Sequence, residues 1–537
     1  MQDNNNTLLI KPDFTGQDRF FEESGTLTVE AIQKHAKELI KASLPLPHAE
    51  ILSNLLEKIG PVDFLLIAYP QTATLRAELK EAESKLINED GSFKDDPALR
   101  EKTKSIAGQI EKHKIRLPQY LIICIEEVLR LAKANNWGIC RKYDFVYLYN
   151  GAFWSELSSD ELRSFLGAAA ERMNIDKFKS RFYAFRDHLF KQFFALANLP
   201  TPPQPPNTVF INLQNGTFEI GPEGTQLRTF SRDDFITYQL PFAYDREAQA
   251  PLFRKYLNKV LPDQQRQNVL AEYMGYVFIH PGTLKLEKSL LLYGSGANGK
   301  SVFFEIVNAL LGPENVCSYS LQSLTDTTGY YRAKLANKLV NYASEINGNL
   351  EAAIFKQLAS GEPVEARQPY GEAFNMSHYA KLMFNCNELP KDVEHTNAYF
   401  RRFLIIPFDV TIPEAEQDKE LSKKILANEL SGVFNWILGG LHRLLKQKRF
   451  SDCEAARLQV EQYRRQSDSI FMFIEDEDYR PSTADSKALK ELFVEYRIYC
   501  ADNGYRACSL KTFSDRLRQH GYESERRSKG MFVYIEK

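Results

Sequence analysis

A glycine-rich run that ends in lysine and serine carries the residue types best suited to chemistry in this chain. It reads Gly294-Ser295-Gly296-Ala297-Asn298-Gly299-Lys300-Ser301. Glycines let the backbone bend until its N–H groups approach phosphate oxygens. In this spacing Lys300 would contact the β- and γ-phosphates of a nucleotide, and the Ser301 hydroxyl would bind Mg²⁺. The run therefore predicts a phosphate-binding loop at residues 294–301, with ATP and Mg²⁺ as cofactors.

The segments on either side of this loop have the character that such a site needs. Ser289–Tyr293 is a short apolar run typical of a buried strand, and Val302–Leu311 has the apolar spacing of a helix. A helix that begins near Gly299 would add the positive end of its dipole to the site. A chance glycine-rich turn would not be expected to have both flanks, so we favour a nucleotide site.

Two apolar segments farther along the chain end in residues that suit ATP hydrolysis. Residues 338–345 end in Glu345, a carboxylate that could polarise the attacking water and support the metal ion. Residues 380–387 end in Asn387, whose amide can both donate to and accept from a water molecule. Ser344 stands where a second acid is common, so metal binding would depend on Glu345 and the loop serine. A solvated acid at a strand end is the alternative for Glu345.

Arg401 and Arg402 precede an apolar strand at Phe403–Ile406. An arginine that reaches the γ-phosphate of a neighbouring subunit stabilises the charge of the transition state and is called an arginine finger. Either residue could fill this role. The pair therefore predicts that ATP is hydrolysed between subunits.

The length and composition are those of an ordinary multidomain globular protein. The chain has 537 residues, of which 43% are hydrophobic and 26% charged, and its formal net charge is −2. A nearly neutral chain needs local clusters of cations to bind nucleic acid. The seven cysteines include no C-x-x-C pair, which favours free thiols in a reducing cytoplasm. The polar N-terminus and the lack of a long apolar run predict neither secretion nor membrane insertion.

Changes in sequence pattern divide the chain into seven segments. They are a mostly helical segment at 1–140 with a charged helical hairpin, an α+β segment at 141–199, a proline-rich linker at 200–207, a hairpin and helical collar at 208–284, an ATPase core with a helical lid at 285–465, a linker at 466–482 and a small C-terminal domain at 483–537. Leu27–Ile32 is expected to begin a helix.

The acidic run at 475–478 looks superficially like a metal-binding acid pair, but the lack of a second metal-binding element favours a solvated linker.

The C-terminal segment has the order helix, helix, strand, basic turn, strand, which is typical of a winged helix. Its cations are Lys511, Arg516 and Arg518 on the second helix, and Arg526, Arg527 and Lys529 on the turn. This local positive patch predicts DNA binding. Docking of another protein is the alternative.

The order of these features resembles the superfamily 3 helicases, and more closely the phage, plasmid and poxvirus primase-helicase group. The matching stretches lie between about residues 285 and 410. They are Gly294–Ser301, the strand that ends in Glu345, Ile354–Tyr370, Phe384–Pro390 and Arg401–Phe408. The resemblance is weaker upstream, around Leu240–Asp245.

The resemblance implies a multidomain α/β fold with an AAA+-like P-loop ATPase core, preceded by helical and α+β domains and followed by a winged helix. It also implies a homo-oligomeric ring, expected to be hexameric, around single-stranded or forked DNA. A hairpin between the acidic strand and the asparagine strand would enter the channel of this ring. In this chain the hairpin spans about residues 364–384, with Arg367, Tyr370, His378 and Lys381 as candidate DNA contacts.

We therefore expect a ring-forming, ATP-dependent DNA helicase that serves replication of a phage or other mobile element in the host cytoplasm. A bifunctional primase-helicase is one alternative. Residues 1–230 show no paired-acid strand for nucleotidyl transfer, so priming would need a separate primase or another replication protein as partner. The other alternative is an origin-binding initiator or loader that is switched by ATP and does not unwind DNA. Assays of strand displacement, ATP hydrolysis and primer synthesis distinguish the three.

Overall fold

The computed structural model describes most of the chain after residue 45. The described residues are 46–88, 91–135, 137–142, 145–198, 207–222, 224–344, 346, 350–368, 371–390 and 393–537. The helix start expected at 27–32 and nearly all of the linker at 200–207 lie outside these residues, as do Glu345 and Tyr370. The chain is a mixed α/β, multidomain protein with one parallel sheet, which confirms that part of the predicted fold class.

Helices dominate the first described segment. They are α1 (His48–Lys58), α2 (Phe64–Ala68), α3 (Thr72–Lys85), α4 (Pro97–Glu111) and α5 (Leu117–Ala134). The charged helices α3 and α4 pack against each other where a helical hairpin is expected. Helix α5 buries Leu121, Ile125 and Val128, which recur at the spacing of a single helix face. The apolar stripe of α5 therefore anchors this segment.

A three-stranded antiparallel sheet and three helices follow α5. They are β1 (Gly138–Lys142), β2 (Phe145–Tyr149), β3 (Trp154–Leu157), α6 (Ser159–Arg172), α7 (Lys177–Arg181) and α8 (Tyr183–Leu196). The Ser158 hydroxyl accepts a hydrogen bond from the Glu161 N–H (3.2 Å), and the Glu161 carboxylate accepts one from the Ser158 N–H (3.2 Å). This reciprocal pair is a capping box and explains why α6 begins there.

The segment before the parallel sheet contains a second antiparallel sheet and two helices. They are β4 (Val209–Leu213), β5 (Gly216–Gly221), β6 (Gly224–Arg228), α9 (Pro251–Val260) and α10 (Gln264–Tyr276). Leu213 of β4 lies opposite Gly216 of β5, so the two strands form a tight hairpin. Helices α9 and α10 occupy the place of the expected collar.

A five-stranded parallel sheet forms the core of the next segment. Its elements are β7 (Ser289–Tyr293), α11 (Lys300–Leu311), β8 (Val316–Cys317), α12 (Leu321–Leu324), α13 (Tyr330–Ala333), β9 (Val340–Ala343), α14 (Ala352–Ser360), β10 (Val364–Arg367), β11 (Ala373–Met376), β12 (Lys381–Cys386), α15 (Asn397–Phe400) and β13 (Phe403–Pro407). The strand order is β13-β7-β12-β9-β8, and β10 and β11 pair separately as a hairpin. Leu290, Leu291 and Leu292 of β7 are fully buried, as expected of a parallel strand that is covered on both faces.

Three helices follow the sheet, in the region expected to form a lid. They are α16 (Leu421–Asn428), α17 (Leu430–Gln447) and α18 (Glu454–Gln466). Helix α17 packs closely on α10, because a Cβ atom on Gly440 would lie 2.3 Å from the carbonyl carbon of Ala271. The lid region is therefore fixed against the collar by a contact that only glycine permits.

The C-terminal unit combines three helices with a small antiparallel sheet. Its elements are α19 (Ser469–Asp476), β14 (Arg480–Ala488), α20 (Leu489–Asp502), α21 (Leu510–Gln519), β15 (Ser524–Arg527) and β16 (Gly530–Glu536). Residues 466–482, expected to be a linker, instead supply α19 and the start of β14. Ile470 and Phe473 of α19 are buried in the same core as Leu517 of α21. The acidic run at 475–478 lies at the end of α19 and in the turn after it.

No helix in the described ranges has both the length and the apolar character needed to cross a bilayer. All seven cysteines are free thiols.

Candidate functional site

Three parallel strands end beside one another at the edge of the sheet that carries the glycine-rich loop. Tyr293 at the end of β7 lies opposite Cys386 at the end of β12, and the Gly294 N–H donates to the Cys386 carbonyl (3.1 Å). Strand β9 runs parallel on the other side of β12 and ends at the same edge. This register brings the loop close to Asn387, which follows β12. Glu345, which follows β9 in the sequence, lies outside the described residues.

The collar and the segment after β13 hold the loop in place. Gly299 has a φ of 87°, and a Cβ atom there would lie 2.6 Å from Cγ1 of Val260 on α9, so this position requires glycine. The Tyr256 hydroxyl, also on α9, donates to the Gly299 carbonyl (2.8 Å). The amide of Asn298 donates to the carbonyl of Phe408 (3.1 Å). The loop conformation is thus fixed by packing and hydrogen bonds from two sides.

Lys300 is the first residue of α11 and is only 6% exposed. Its ammonium donates to the Gly294 carbonyl (2.6 Å) and to Oδ1 of Asn298 (3.0 Å). Burial lowers the pKa of Lys300, and the neighbouring Cys386 opposes this shift only in part. In the described part of the chain, no carboxylate lies within 4.0 Å of this ammonium. A phosphate oxygen would therefore be a better partner for Lys300 than either of its neutral acceptors.

The start of α11 presents hydrogen-bond donors and a hydroxyl to solvent. Ser295, Ala297 and Ser301 are exposed. The first N–H groups of a helix have no acceptor within the helix and favour an anion. The Ser301 hydroxyl is an oxygen ligand of the kind that Mg²⁺ takes alongside nucleotide phosphates and water. Among the described residues, no group of three or more His, Cys, Asp or Glu side chains is placed to hold a metal ion.

Asn387 is exposed just beyond the end of β12. Two residues earlier, Oδ1 of Asn385 accepts a hydrogen bond from the buried Tyr342 hydroxyl of β9 (2.8 Å). This bond joins the two strands close to their ends. The Asn387 amide is therefore carried by a fixed strand and remains open to a water molecule.

The two arginines before β13 have different surroundings. Arg402 is 8% exposed, and its Nε donates to the Lys356 carbonyl (3.1 Å) and to the Ser360 hydroxyl (3.1 Å). The Arg401 side chain is 57% exposed and forms an ion pair with Glu287 (3.0 Å). The donors of Arg402 are thus engaged within the chain, whereas Arg401 remains on the surface.

The hairpin of β10 and β11 carries one of the four predicted channel contacts within the described residues. Arg367, the last residue of β10, is exposed, and its Nε donates to the carbonyl of Gly371 at the turn (2.9 Å). Tyr370 lies outside the described residues.

His378 and Lys381 lie beyond this hairpin, at the start of β12. The ring of His378 forms a hydrogen bond with that of His280 (Nδ1 to Nε2, 2.6 Å). The Lys381 ammonium lies 4.1 Å from the centre of the Tyr276 ring. The structure thus separates these two candidates from Arg367 and places them against the end of α10.

Five of the six C-terminal cations are on the surface. They are Lys511, Arg518, Arg526, Arg527 and Lys529. The sixth, Arg516, lies inside the unit and pairs with Asp468, with side-chain exposures of 14% and 11%. Burial favours a higher pKa for Asp468, but a hydrogen bond from His520 (3.0 Å) and the charge of Arg516 together hold that pKa well below its usual range. Arg516 is therefore part of a buried ion pair and not of the exposed patch.

Sequence reasoning did not single out Tyr256, although it holds the loop. Tyr256 lies 43 residues before Gly299, and its apolar spacing on α9 is that of any packed helix residue. No local motif distinguishes a tyrosine that supports a loop from one that only fills the core.

Three stretches of the chain match models of known protein families. Residues 126–262 match a family described as D5 N terminal like, and residues 465–536 match one described as Poxvirus D5 protein-like. Residues 292–402 match a family of unknown function (DUF5906). The chain therefore carries D5-type, primase-helicase-like domains, which confirms the predicted resemblance to the poxvirus primase-helicase group.

Similar proteins occur in large DNA viruses. "Putative helicase L207/L206" of Acanthamoeba polyphaga mimivirus is 25% identical over 231 residues, which are 41% of this chain and 24% of the relative. "Putative helicase 121R" of Invertebrate iridescent virus 3 is 22% identical over 284 residues, which are 45% of this chain and 29% of the relative. The chain thus spans 24% and 29% of the length of these two relatives.

Among solved structures, the apo C-terminal region of NrS-1 is similar in outline. It is 11% identical and superimposes with a TM-score of 0.43 over 75% of this chain and 97% of that one. A second structure of the same region, residues 305–718, gives 12% identity and a TM-score of 0.43 over 76% of this chain and 98% of that one.

Proposed function

We propose that this protein is an ATP-hydrolysing DNA helicase of the superfamily 3 type, which assembles as a ring and serves replication of a virus, phage or other mobile element. The observation that carries the proposal is the position of Lys300. Its ammonium is held by neutral acceptors in a glycine-rich loop, at the edge of the sheet where β7, β12 and β9 end. A P-loop core of the AAA+ type requires this arrangement.

In this proposal, the loop residues bind the nucleotide and the strand ends position the attacking water. Lys300 exchanges its acceptors for β- and γ-phosphate oxygens, and backbone N–H groups of the loop and of α11 complete the cradle. Mg²⁺, when bound by the Ser301 hydroxyl and the phosphates, supplies charge neutralisation. Asn387 orients the water, and Glu345 polarises it and supports the metal ion.

Hydrolysis at a subunit boundary also needs a cation from the neighbouring subunit. Arg401 is our choice for this arginine finger, because its side chain is 57% exposed and its ion pair with Glu287 is on the surface. Arg402 is buried and already bonded within its own chain. The proposed oligomer is a hexameric ring in which each Arg401 faces the loop of the next subunit.

We propose two DNA-binding surfaces. The hairpin of β10 and β11, with Arg367 and Tyr370, would contact single-stranded DNA in the channel. The C-terminal unit would act as a winged helix, with exposed Lys511 and Arg518 on α21 and exposed Arg526, Arg527 and Lys529 between β15 and β16.

The test is unwinding of a forked DNA substrate by the full chain with ATP and Mg²⁺. The parent protein should displace the strand, and Lys300→Ala should abolish displacement and DNA-stimulated ATP hydrolysis. Lys419→Ala, which removes an exposed lysine outside the loop, should retain both activities. ATP hydrolysis that is stimulated by DNA without displacement would instead indicate an ATP-switched initiator or loader. Primer synthesis by the purified chain would indicate a primase-helicase.

A further inference from the structure

A cavity of about 260 Å³ lies where the first sheet, the collar and the parallel sheet meet. Its lining comes from six stretches of chain, which contribute Lys142, Phe145 and Tyr147, residues 208–210, 234–238, 277–281 and 336–339, and residues 374–379 with Lys381. No residue of the 294–301 loop lines it. This junction cavity is therefore distinct from the proposed ATP site.

Aromatic rings form the apolar part of the junction cavity. Phe145 and Phe374 meet edge to face with their ring centres 6.0 Å apart, although they come from different sheets. Phe235 lies on another side and is supported by Trp154, which stacks on it at 5.2 Å. The Tyr147 hydroxyl donates to Oδ1 of Asn337 (2.9 Å). Rings held in this way suit a flat heteroaromatic group, because bases stack on aromatic side chains.

Two ammonium groups line the cavity without an anionic partner among the residues that the structure describes. Lys142 is 8% exposed, and its Nζ lies 3.7 Å from the centre of the Phe235 ring. Lys381 also contacts an aromatic ring, that of Tyr276. Within the described ranges, neither ammonium has a carboxylate within 4.0 Å or a hydrogen-bond acceptor. Burial lowers the pKa of Lys142, and it lowers that of Lys381 to about 8. A buried cation without a partner is costly, so an anion in the cavity would stabilise both lysines.

Two histidines add a directed donor to this cavity. Nδ1 of His280 accepts a hydrogen bond from the Gly282 N–H (3.1 Å), so the proton of a neutral His280 lies on Nε2. Nε2 of His280 then donates to Nδ1 of His378, and a neutral His378 must carry its own proton on Nε2. Part of His378 is accessible to solvent. Burial of its ring, together with the nearby His280 and Lys142, lowers the pKa of His378 to about 4. At neutral pH the pair is uncharged, and His378 offers one N–H.

The other charged residues of the lining are already engaged. Asp234 accepts two hydrogen bonds from Arg228 (2.9 and 2.8 Å). The ammonium of Lys338 donates to the carbonyl of Glu314. Among the described lining residues, the free charge is therefore positive and belongs to Lys142 and Lys381.

We propose that the junction cavity binds one phosphorylated nucleoside, with its phosphate between Lys142, Lys381 and His378 and its base among Phe145, Phe235 and Phe374. At about 260 Å³, the cavity is slightly smaller than the roughly 300 Å³ at which ligand pockets typically begin, so it would hold one nucleotide at most. The nucleotide could be free or could belong to a DNA strand, and the chemistry of recognition is the same. This proposal does not depend on ATP hydrolysis or unwinding.

Calorimetric titration of the full chain with thymidine monophosphate tests the proposal. The chain carries Lys300→Ala, which removes the key cation of the loop, so the result is independent of the ATP site. We expect binding of one equivalent, about tenfold weaker binding after either Lys142→Gln or Lys381→Gln, and at least tenfold weaker binding of thymidine, which lacks the phosphate. Lys338→Gln is the matched control, because it removes a lining lysine whose ammonium is already bonded, and it should change affinity less than twofold.

A second variant keeps the test valid if a lysine substitution disturbs folding. Phe374→Leu retains every charge of the cavity. It should weaken the binding of thymidine monophosphate several-fold and leave the binding of inorganic phosphate unchanged. Displacement of the bound nucleotide by an oligo(dT) strand would identify DNA as its source, and lack of displacement would identify free nucleotide. The proposal is overturned if thymidine monophosphate does not bind, if both Lys→Gln proteins bind it as tightly as their parent, or if phosphate alone binds equally well.

Discussion

Replacing the two arginines before β13 one at a time tests how the structure assigns their roles. Arg402 donates through Nε to the Lys356 carbonyl and the Ser360 hydroxyl, both at 3.1 Å, and through a terminal nitrogen to the Ala398 carbonyl. Arg402→Ala leaves these acceptors without a donor, and each unsatisfied buried group costs about 1–3 kcal/mol. After partial relaxation of the surrounding structure, we expect the free energy of unfolding to fall by about 3 kcal/mol. This corresponds to a fall in Tm of roughly 6–12 °C.

Arg401→Ala should have the opposite profile. The side chain is 57% exposed, and its ion pair with Glu287 is of the surface type that contributes about 0–1 kcal/mol. Its Tm should therefore stay within about 4 °C of the parent. Loss of an arginine finger costs about 10³-fold or more in the rate of ATP hydrolysis. Nucleotide affinity should change little, because Lys300 and the loop are intact.

The assays are thermal unfolding followed by circular dichroism and steady-state ATP hydrolysis with single-stranded DNA. A mixing experiment adds the test of action between subunits. Arg401→Ala and Lys300→Ala chains should each be inactive alone, whereas an equal mixture should recover about a quarter of the parent rate, since that fraction of interfaces pairs an intact lysine with an intact arginine.

Two results would refute this reasoning. If Arg401→Ala hydrolyses ATP at the parent rate, it is not the finger. If Arg402→Ala is inactive but has an unchanged Tm, its described hydrogen bonds are not structural and the two roles must be exchanged. An inactive equal mixture would show that the arginine does not act across a boundary.

Three further substitutions test packing, the C-terminal patch and the buried lysine. Gly440→Ala should lower the free energy of unfolding, measured with denaturant, by about 1–3 kcal/mol, because the new Cβ atom would overlap α10. Gly439→Ala should raise it by about 0.5–1 kcal/mol, because no atom lies within 4 Å of the new Cβ position. Equal effects of the two substitutions would contradict the contact between α17 and α10. Arg516→Gln should lower Tm because it breaks the buried ion pair with Asp468. Lys511→Gln should leave Tm unchanged and reduce the slope of log affinity for DNA against log salt concentration by about one. The reverse result would place Arg516 on the DNA-binding surface. The pKa of Lys381 is about 8 in the folded chain against 10.5 ordinarily, so between these values the unfolded chain binds the extra proton and stability rises with pH. Lys381→Met should remove that rise, and parallel curves for parent and variant would show that the pKa is not lowered.

The parts of the site that the sequence predicts are those coded by neighbouring residues. The loop at 294–301 and the helix after it follow from local spacing, as does the capping box that begins α6. The apolar runs at β7 and β12 are short and continuous, which is the pattern of buried parallel strands, and the structure places both in the sheet. The relative positions of neighbouring residues are set mainly by the local backbone conformation, so they can be predicted without knowing the rest of the fold.

What could not be predicted depends on contacts between distant residues. Arg516 has the helical spacing of a surface cation, but Asp468 of α19 approaches it only because that helix packs into the C-terminal core. The same packing explains why residues 466–482 are not a linker, since their acidic end suggests solvent while Ile470 and Phe473 need burial. The junction cavity has no local signature at all, because it is assembled from six separate stretches of chain.

Outside the glycine-rich loop, the roles that we assign to cations depend on whether the chain itself supplies acceptors for them. Arg402 and Arg516 are buried beside oxygen atoms of their own chain, so their charge is compensated and stabilises the fold. Arg401 keeps most of its side chain in water, so holding it ready for an external anion costs little. Lys142 and Lys381 differ from both groups because they have lost water without gaining an acceptor among the described residues. Such a lysine is tolerated when it loses its proton or when an anion binds beside it, so an anionic ligand in the junction cavity would stabilise the folded chain.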